Sequence, residues 1–315
     1  MIMLIVKYRK IFFILTGLII AAAISSISIF GLNFGIDFTG GAITEVSYPE
    51  IVLGEENINT RPSKESLETS LQNLDIGGFS IRPTGSPSAD GGYILRTQDL
   101  TEEKRVEVLD ALSLGGEKQV IQERFNSIGP TIGSELRNKA FVAIGIVVVA
   151  IILFVAFVFR KVSQPVSSWK YGIVAIIALI HDVLVPVGIF AFLGYSVGAE
   201  IDILFVMALL AILGYSVNDT IVVFDRVREN LRLNRENNSK EDFELTVGKS
   251  LNQTYARSIN TSLTTLFVLI ALFFIGSEAT QDFALVLATG VIAGTYSSIF
   301  LATPLLVALG KRSSK

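Results

Sequence analysis

Six long apolar stretches constrain the fold of this 315-residue chain more than any other feature. An α-helix needs about 20 apolar residues to cross the ~30 Å hydrocarbon core of a bilayer. Only 17% of the residues are charged, against about 25% in soluble domains, which favours a membrane protein. We number the predicted transmembrane helices as spans one to six: Ile11–Phe30, Ala140–Phe159, Gly172–Leu193, Ile201–Phe224, Ile259–Ile275 and Phe283–Gly310.

The composition excludes several kinds of chemistry. A net charge of −3 leaves no basic surface for a nucleic acid. The chain has no cysteine, which removes disulfides, thiolate catalysis and cysteine-held metals, and its single histidine, His181, is a poor basis for a metal site. We therefore expect no metal, no cofactor and no nucleic-acid partner.

Lysine and arginine near the span ends predict the orientation, because these residues are enriched on the cytosolic side of membranes. The connections Gly194–Glu200 and Gly276–Asp282 contain neither residue type, so we place them outside. Both termini are then cytosolic, in a cytoplasmic (inner) membrane. Span one is expected to be retained, since Ile27–Phe30 is not a signal-peptide cleavage site. The cytosolic markers are Lys7, Arg9, Lys10, Arg160, Lys161, Lys170, Lys311, Arg312 and Lys315.

These assignments divide the chain into four segments. Residues 1–31 form the cytosolic N-terminus with span one, and residues 32–138 form an extracytoplasmic domain with its two necks. Residues 139–310 hold spans two to six, including a cytosolic segment at 225–256, and residues 311–315 are a basic cytosolic tail.

The extracytoplasmic segment has the pattern of an α+β, ferredoxin-like domain. Its order of elements is β-α-β-β-α-β, with Ser63 and Thr101 predicted as helix N-caps. The predicted buried face of the second helix consists of Val106, Leu109, Ala111 and Leu112. The predicted strands are Ala42–Tyr48, Phe79–Arg82, Tyr93–Thr97 and Gln119–Phe125, and the first helix is Ser63–Leu74.

The cytosolic segment shows apolar residues at helical spacing on both sides of the loop Asn237–Lys240. Two short amphipathic helices fit this pattern. Two interpretations of its arginines stay open: contact with lipid headgroups, or a docking surface for a partner. These arginines are Arg226, Arg228, Arg232 and Arg235.

Polar side chains within spans three to five mark the functional candidates, because an ionised group costs about 2.5–3.5 kcal/mol at mid-bilayer. Span three carries His181 and Asp182 at its centre, and span four carries Asp219. Adjacent helical residues point about 100° apart, so we expect only one of His181 and Asp182 to face a given path. A supporting polar path is predicted from His181, Asp182, Ser216, Asn218, Thr220, Thr261 and Thr264.

Asp219 and Arg257 lie at similar depth, because span four runs inward and span five begins inside. We therefore expect them to meet across neighbouring helices. One interpretation is a static buried ion pair that fixes helix register. The other is a proton switch, because burial disfavours a charged carboxylate while a nearby guanidinium favours it, so that moving Arg257 would load or unload a proton.

Glycines before and after the extracytoplasmic domain predict flexible necks. The hinge candidates are Phe34, Gly35, Asp37, Gly40, Gly41, Gly129 and Pro130.

Five ordered motifs together resemble the SecF subunits of the bacterial SecD/SecF protein-export complex, a branch of the resistance-nodulation-division transporter superfamily. The resemblance covers nearly the whole chain. The motifs are Phe34–Gly41, Ile128-Gly129-Pro130 with Gly133, Glu135 and Leu136, His181-Asp182, Gly214–Arg226, and Arg257 with Thr261–Thr265.

This resemblance implies a membrane subunit that, with SecD, uses the proton-motive force to help the SecY/SecE/SecG channel and the SecA motor export unfolded polypeptides. It implies that Asp219 and Arg257 carry proton coupling, opposite an aspartate of SecD. Transporters of this superfamily usually have two such halves, so the other half must be another chain.

Three alternatives to this function remain. A small-molecule or lipid exporter of the same superfamily would be expected to have larger outer loops. An intramembrane aspartyl protease could use Asp182 and Asp219, but the sequence Ser216–Asp219 lacks the Gly-x-Gly-Asp pattern of that family. A purely structural role would not explain why charged residues lie at membrane depth. We therefore expect no enzymatic activity.

The orientation can be tested by thiol labelling, since the native chain has no cysteine. A membrane-impermeant thiol reagent, applied to cells with a permeable outer envelope, should modify Ser86→Cys and leave Asn238→Cys unmodified. The reverse pattern of labelling would refute the predicted topology.

Overall fold

The computed structural model describes residues 3–49, 52–53, 56–57, 61–84, 91–158, 167–239, 241–276 and 278–311. The chain divides into two compact units. The first, which we call the membrane unit, comprises residues 1–33 and 140–315, and the second, the α+β unit, comprises residues 34–139.

The described helices are numbered along the chain. They are α1 (Met3–Lys7), α2 (Arg9–Phe30), α3 (Ile36–Thr39), α4 (Lys64–Gln72), α5 (Glu102–Leu112), α6 (Pro130–Val158), α7 (Ser168–Ser196), α8 (Ile203–Glu236), α9 (Phe243–Ile275), α10 (Glu278–Tyr296) and α11 (Thr303–Lys311). A π-helical turn, Ser297–Ala302, joins α10 to α11. Six segments are long and apolar enough to cross a membrane, which confirms the six predicted spans. Span six consists of α10, the π-helical turn and α11.

The polar ends of α8 and α9, where two short separate helices were predicted, differ from that prediction. Instead, α8 and α9 continue without interruption beyond their apolar parts, because no helix breaker separates them from the polar segment. The connection is a Schellman-type turn in which Asn238 takes a φ of 52° and Ser239 N–H donates to Asn234 O at 2.8 Å. The two helix ends are joined by side-chain bonds, including Asn230 Nδ2 to Ser250 Oγ at 2.8 Å.

Small residues bring the transmembrane helices close together. Gly290 and Gly294 of α10 are four residues apart and pack against Ile212 and Ser216 of α8. A Cβ atom at Gly294 would lie 3.0 Å from the Cβ of Ser216. Such glycine pairs let backbones approach in membranes, where packing has to replace the hydrophobic effect.

The α+β unit contains the predicted ferredoxin-like sheet. Its four strands are arranged in the order β4-β5-β1-β6, and every neighbouring pair is antiparallel. The predicted caps are confirmed, since Ser63 and Thr101 accept hydrogen bonds from Ser66 N and Lys104 N. The strands are β1 (Gly41–Ser47), β2 (Val52–Leu53), β3 (Glu56–Asn57), β4 (Ser80–Thr84), β5 (Gly92–Thr97) and β6 (Ile121–Ile128), of which β2 and β3 form a separate ribbon.

Helix α5 packs on the core through the predicted Leu109, Ala111 and Leu112, but not through Val106. Val106 is 56% exposed, whereas Val108 and Leu112 are fully buried. The prediction was wrong at Val106 because this helix carries few apolar residues, so their spacing defined its face weakly. Leu112 also positions the buried Tyr48, whose hydroxyl donates to Leu112 O at 2.8 Å, and burial raises the pKa of Tyr48 well above its usual value.

The two faces of α5 provide a matched test. Leu112→Ala should destabilise the α+β unit by about 2–5 kcal/mol, because it leaves a cavity in the core. Val106→Ala, on the exposed face, should change stability by less than about 0.5 kcal/mol. Hydrogen exchange of the β1 and β5 amides in the full-length chain measures both, and equal effects would contradict the observed packing.

Candidate functional site

Asp182 of α7 lies at the centre of a buried polar cluster in the membrane unit. Its Oδ1 is 2.8 Å from His181 Nδ1, and its Oδ2 accepts hydrogen bonds from Ser216 of α8 and from Ser297 Oγ, the latter at 2.8 Å. The side chains of His181 and Asp182 are 1% and 0% exposed. Asp182 therefore links three transmembrane helices through the acceptor capacity of one carboxylate.

His181 also contacts span six, contrary to the expectation that only one of the two adjacent residues would face a given path. Its ring stacks on Tyr296 with 5.7 Å between centroids, while Asp182 contacts Ser297. The two side chains converge because they bond to each other. Within the described residues, His181 Nε2 is buried without a hydrogen-bond partner.

Asp219 of α8 contacts span five rather than a second carboxylate. Its Oδ1 accepts a hydrogen bond from Ser258 Oγ at 2.5 Å. Its Oδ2 is buried and lacks a hydrogen-bond partner among the parts of the chain that the structure describes. Asp219 is therefore only half satisfied, whereas both oxygens of Asp182 are bonded.

Arg257 does not form the direct ion pair that the sequence suggests. In the described part of the structure no carboxylate lies within 4 Å of its guanidinium, although its charge acts on Asp219 through space. The reason is helical geometry: Ser258, the next residue, faces Asp219 and is buried, so that Arg257 is turned about 100° away and exposed.

The remaining predicted polar residues fall into two groups. Ser216 and Thr220 are buried, and Thr220 Oγ1 is 2.8 Å from Ser298 Oγ. Asn218, Thr261 and Thr264 are exposed, and the two threonines donate to backbone carbonyls of their own helix. The predicted path therefore splits into a buried cluster and an exposed surface.

The exposed surface has a regular form on two packed helices. On α8 the exposed residues between 207 and 218 recur at spacings of four, three and four and form one stripe. On α9 four residues with the same spacing lie within a broader exposed surface, which also includes Asn260, Leu263 and Phe267. We call this surface the open face; its members are Met207, Ala211, Gly214 and Asn218 on α8, and Arg257, Thr261, Thr264 and Val268 on α9.

The glycine motif in the α+β unit has a packing explanation. Gly40 and Gly41 take φ values of 75° and 130°, which disfavour other residues. A Cβ at Gly40 would lie 2.7 Å from Pro130 Cα, and a Cβ at Gly133 would lie 2.7 Å from Gly40 N. Gly35 precedes α3, Asp37 lies in the first turn of α3, and Gly129 precedes Pro130, the first residue of α6. The hinge role of this motif stays a prediction.

Three functional candidates were absent from the sequence prediction. Ser258 was not singled out beside the charged Arg257, and Ser297 and Ser298 were overlooked because span six carries no charge. The available signal was a group of hydroxyl residues, Thr295, Ser297 and Ser298, near Pro304. Asp202, a further aspartate near one end of span four, is the N-cap of α8, since its side chain accepts a hydrogen bond from Phe205 N at 2.8 Å. Among the residues described, no group of three potential metal ligands was found.

Comparison with known proteins gives one consistent result. Residues 110–312 match the family described as protein export membrane protein SecD/SecF, C-terminal, and residues 25–48 match the SecD/SecF GG motif. The protein translocase subunit SecF of Thermobaculum terrenum is 41% identical over 303 residues, covering 96% of this chain and 92% of that protein. The SecF subunit of Anaerolinea thermophila is 36% identical, with 95% and 91% covered.

A solved structure shows the same fold. The crystal structure of SecDF, a translocon-associated membrane protein from Thermus, is 33% identical and superposes with a TM-score of 0.77. The match covers 98% of this chain and 38% of the SecDF chain. The present chain therefore corresponds to a minor part of that longer protein.

The Asp182 cluster can be tested by removing its acceptor. Asp182→Ala leaves Ser216, Ser297 and His181 without their shared partner, which should cost about 2–4 kcal/mol. Asp182→Asn should cost less, because the amide oxygen can accept from the serines and the amide nitrogen can donate to His181. The measurement is the temperature at which detergent-solubilised chain loses its monodisperse gel-filtration peak. Unchanged stability of Asp182→Ala would contradict the proposed role of this carboxylate in packing.

Proposed function

The chain belongs to the SecD/SecF family of protein-export membrane proteins, and we propose that it acts with SecD to couple the proton-motive force to late steps of protein export. The observation that carries the proton-coupling part is the environment of Asp219. One oxygen of this carboxylate is bonded to Ser258 and the other is buried without a partner. When one oxygen of a buried carboxylate accepts no hydrogen bond, the low-dielectric surroundings favour the protonated, neutral form.

The open face supports a partner in the membrane. It places Asn218 and Arg257 beside the proton-responsive group, and an exposed arginine at this depth requires a counter-charge. We infer that SecD covers this face and supplies an acidic side chain to Arg257. The longer SecDF chain, of which this chain matches 38%, has room for the second half.

The energy available is adequate for such a device. Each elementary charge that crosses 100 mV yields about 2.3 kcal/mol, comparable to the difference between two nearly balanced arrangements of a domain. In our proposal a proton loads Asp219 from one side and leaves to the other, and the change in charge alters the attraction between Asp219 and Arg257.

The proposed topology puts both termini and the α8–α9 hairpin in the cytosol and the α+β unit outside. From that side the α+β unit would act on an unfolded polypeptide that emerges from the SecY/SecE/SecG channel, after SecA has driven it from the cytosol. The positive charges near the described span ends support this orientation, including Arg9, which pairs with Glu244 at 3.3 Å.

The geometry gives less support to a protease. An intramembrane aspartyl protease needs two carboxylates that share a water-accessible centre. Asp182 is 0% exposed and both of its oxygens are bonded, so it is not available to activate a water molecule.

The proposal predicts the behaviour of a double mutant. Asp219→Asn removes the titrating group at nearly constant volume, and Arg257→Met removes the positive charge but keeps an apolar stem. In a switch, each single variant and the double variant should abolish proton-driven export. Because Asp219 and Arg257 are not directly paired in this chain, no variant breaks an ion pair within it, and all three variants should still fold and be recovered from the membrane.

The measurement is release of an exported substrate from vesicles that contain this chain and SecD, with an imposed proton gradient. Asp202→Asn is the matched control, since asparagine also caps helices well and the position lies at the other end of α8. Restoration of export in the double variant would show that the two residues serve only as a structural pair.

A further inference from the structure

Two adjacent serines in the π-helical turn of span six contact two different polar centres. Ser297 Oγ donates to Asp182 Oδ2 at 2.8 Å, and Ser298 Oγ is 2.8 Å from Thr220 Oγ1. Both serines are 0% exposed. Thr220 directly follows Asp219 in α8, so Ser298 is bonded to the neighbour of that aspartate in the chain. One turn of helix therefore contacts Asp182 directly and, through Thr220, the segment of α8 that carries Asp219.

The sequence explains why the helix is irregular at this point. Pro304 has no N–H, so the carbonyl of Phe300 loses the donor that a regular α-helix would supply four residues later. The Thr303 hydroxyl compensates nearby by donating to Ser298 O at 2.8 Å. Single π-helical turns are rare within α-helices and are found frequently at functional sites.

The donors and acceptors of Asp219 and Ser298 indicate how the two side chains can interact. An ionised carboxylate only accepts hydrogen bonds, whereas a protonated one also donates, and a serine hydroxyl can serve as either partner. Asp219 has one bonded oxygen and one buried open oxygen, Oδ2. Ser298 is the neighbouring hydroxyl whose present bond, to Thr220, can run in either direction.

We propose that Ser298 is a positioning residue for Asp219, and that its hydroxyl exchanges Thr220 for Asp219 Oδ2 when the carboxylate is ionised. When Asp219 is protonated, the new O–H donates to Ser298 Oγ and the serine donates to Thr220. No proton is transferred to the serine, since only the direction of the hydrogen bonds changes. Ser297 holds the turn on Asp182, so the exchange requires a side-chain rotation and leaves the backbone in place.

Other charged groups around Asp219 are few. Asp182 and Arg257 act on it through space from α7 and α9. His181 is bonded to Asp182. On its own helix, the Tyr215 hydroxyl is directed to Ser262 at 3.2 Å, and Tyr296 of span six is bonded to Thr16. A change at Ser298 or Thr220 alters none of these charges.

This inference rests on the proposed function, and the test uses this chain with SecD in lipid vesicles. Infrared difference spectra record the carboxylic acid band that is lost in Asp219→Asn, and its pH midpoint is followed in three further variants. Ser298→Ala removes the donor to the ionised form and should move the midpoint upward by about one pH unit, with export slowed about tenfold. Thr220→Val frees Ser298 for Asp219 and should move the midpoint in the opposite direction.

Thr289→Val is the matched control in the same span, because that hydroxyl bonds only to the backbone carbonyl of Val286. It should change neither the midpoint nor export. An unchanged midpoint in Ser298→Ala, or shifts of the same sign in Ser298→Ala and Thr220→Val, would overturn the inference. If Ser298→Ala does not assemble, Thr220→Val alone tests the inference: a downward shift of the midpoint supports it, and an upward shift or no shift overturns it.

The same variants distinguish a failure of the proposed function from a failure of the role of Ser298. If Asp219→Asn exports normally, both the proton-coupling role of Asp219 and the role of Ser298 are refuted. If Asp219→Asn abolishes export but Ser298→Ala keeps the wild-type midpoint, the coupling role survives and only the role of Ser298 is refuted.

Discussion

The absence of water in the hydrocarbon core is the constraint on which the membrane unit depends. Every polar group there must find its partner within the protein or lie against another chain. Asp182 satisfies this requirement through His181, Ser216 and Ser297, and in doing so it fixes how α7, α8 and span six pack. Asp219 satisfies it only in part, because among the described residues its Oδ2 is buried without a hydrogen-bond partner.

Much of the fold could be predicted because its signals are strong and local. Spans need only length and apolar composition, and the ferredoxin-like unit shows clear strand and cap patterns at Ser63 and Thr101. Predictions failed where the signal was weak. Helix α5 has few apolar residues, so Val106 was assigned to the core in place of Val108. The extension of α8 and α9 beyond the membrane was missed because a change from apolar to polar composition does not itself end a helix.

The sequence allowed the charged residues of the site to be predicted, but not the contacts between them. Asp182, Asp219 and Arg257 are conspicuous in apolar spans, but which of them touch depends on rotation about each helix axis, and a difference of one residue moves a side chain by about 100°. This is why Ser258, and not Arg257, is bonded to Asp219. The contribution of Ser297 and Ser298 was overlooked for another reason: hydroxyls are common in membrane helices, and the signal that marks these two is their position shortly before Pro304.

The close approach of α8 and α10 at Gly290 and Gly294 has a consequence for motion. Two helices whose backbones interlock at small residues cannot slide past each other without steric collision, so this pair must move as a rigid body. Helix α9 contributes Ser258, the serine bonded to Asp219 of α8. Any displacement of the α8–α10 pair along α9 would therefore have to break or carry with it this hydrogen bond, which couples the position of α9 to the carboxylate.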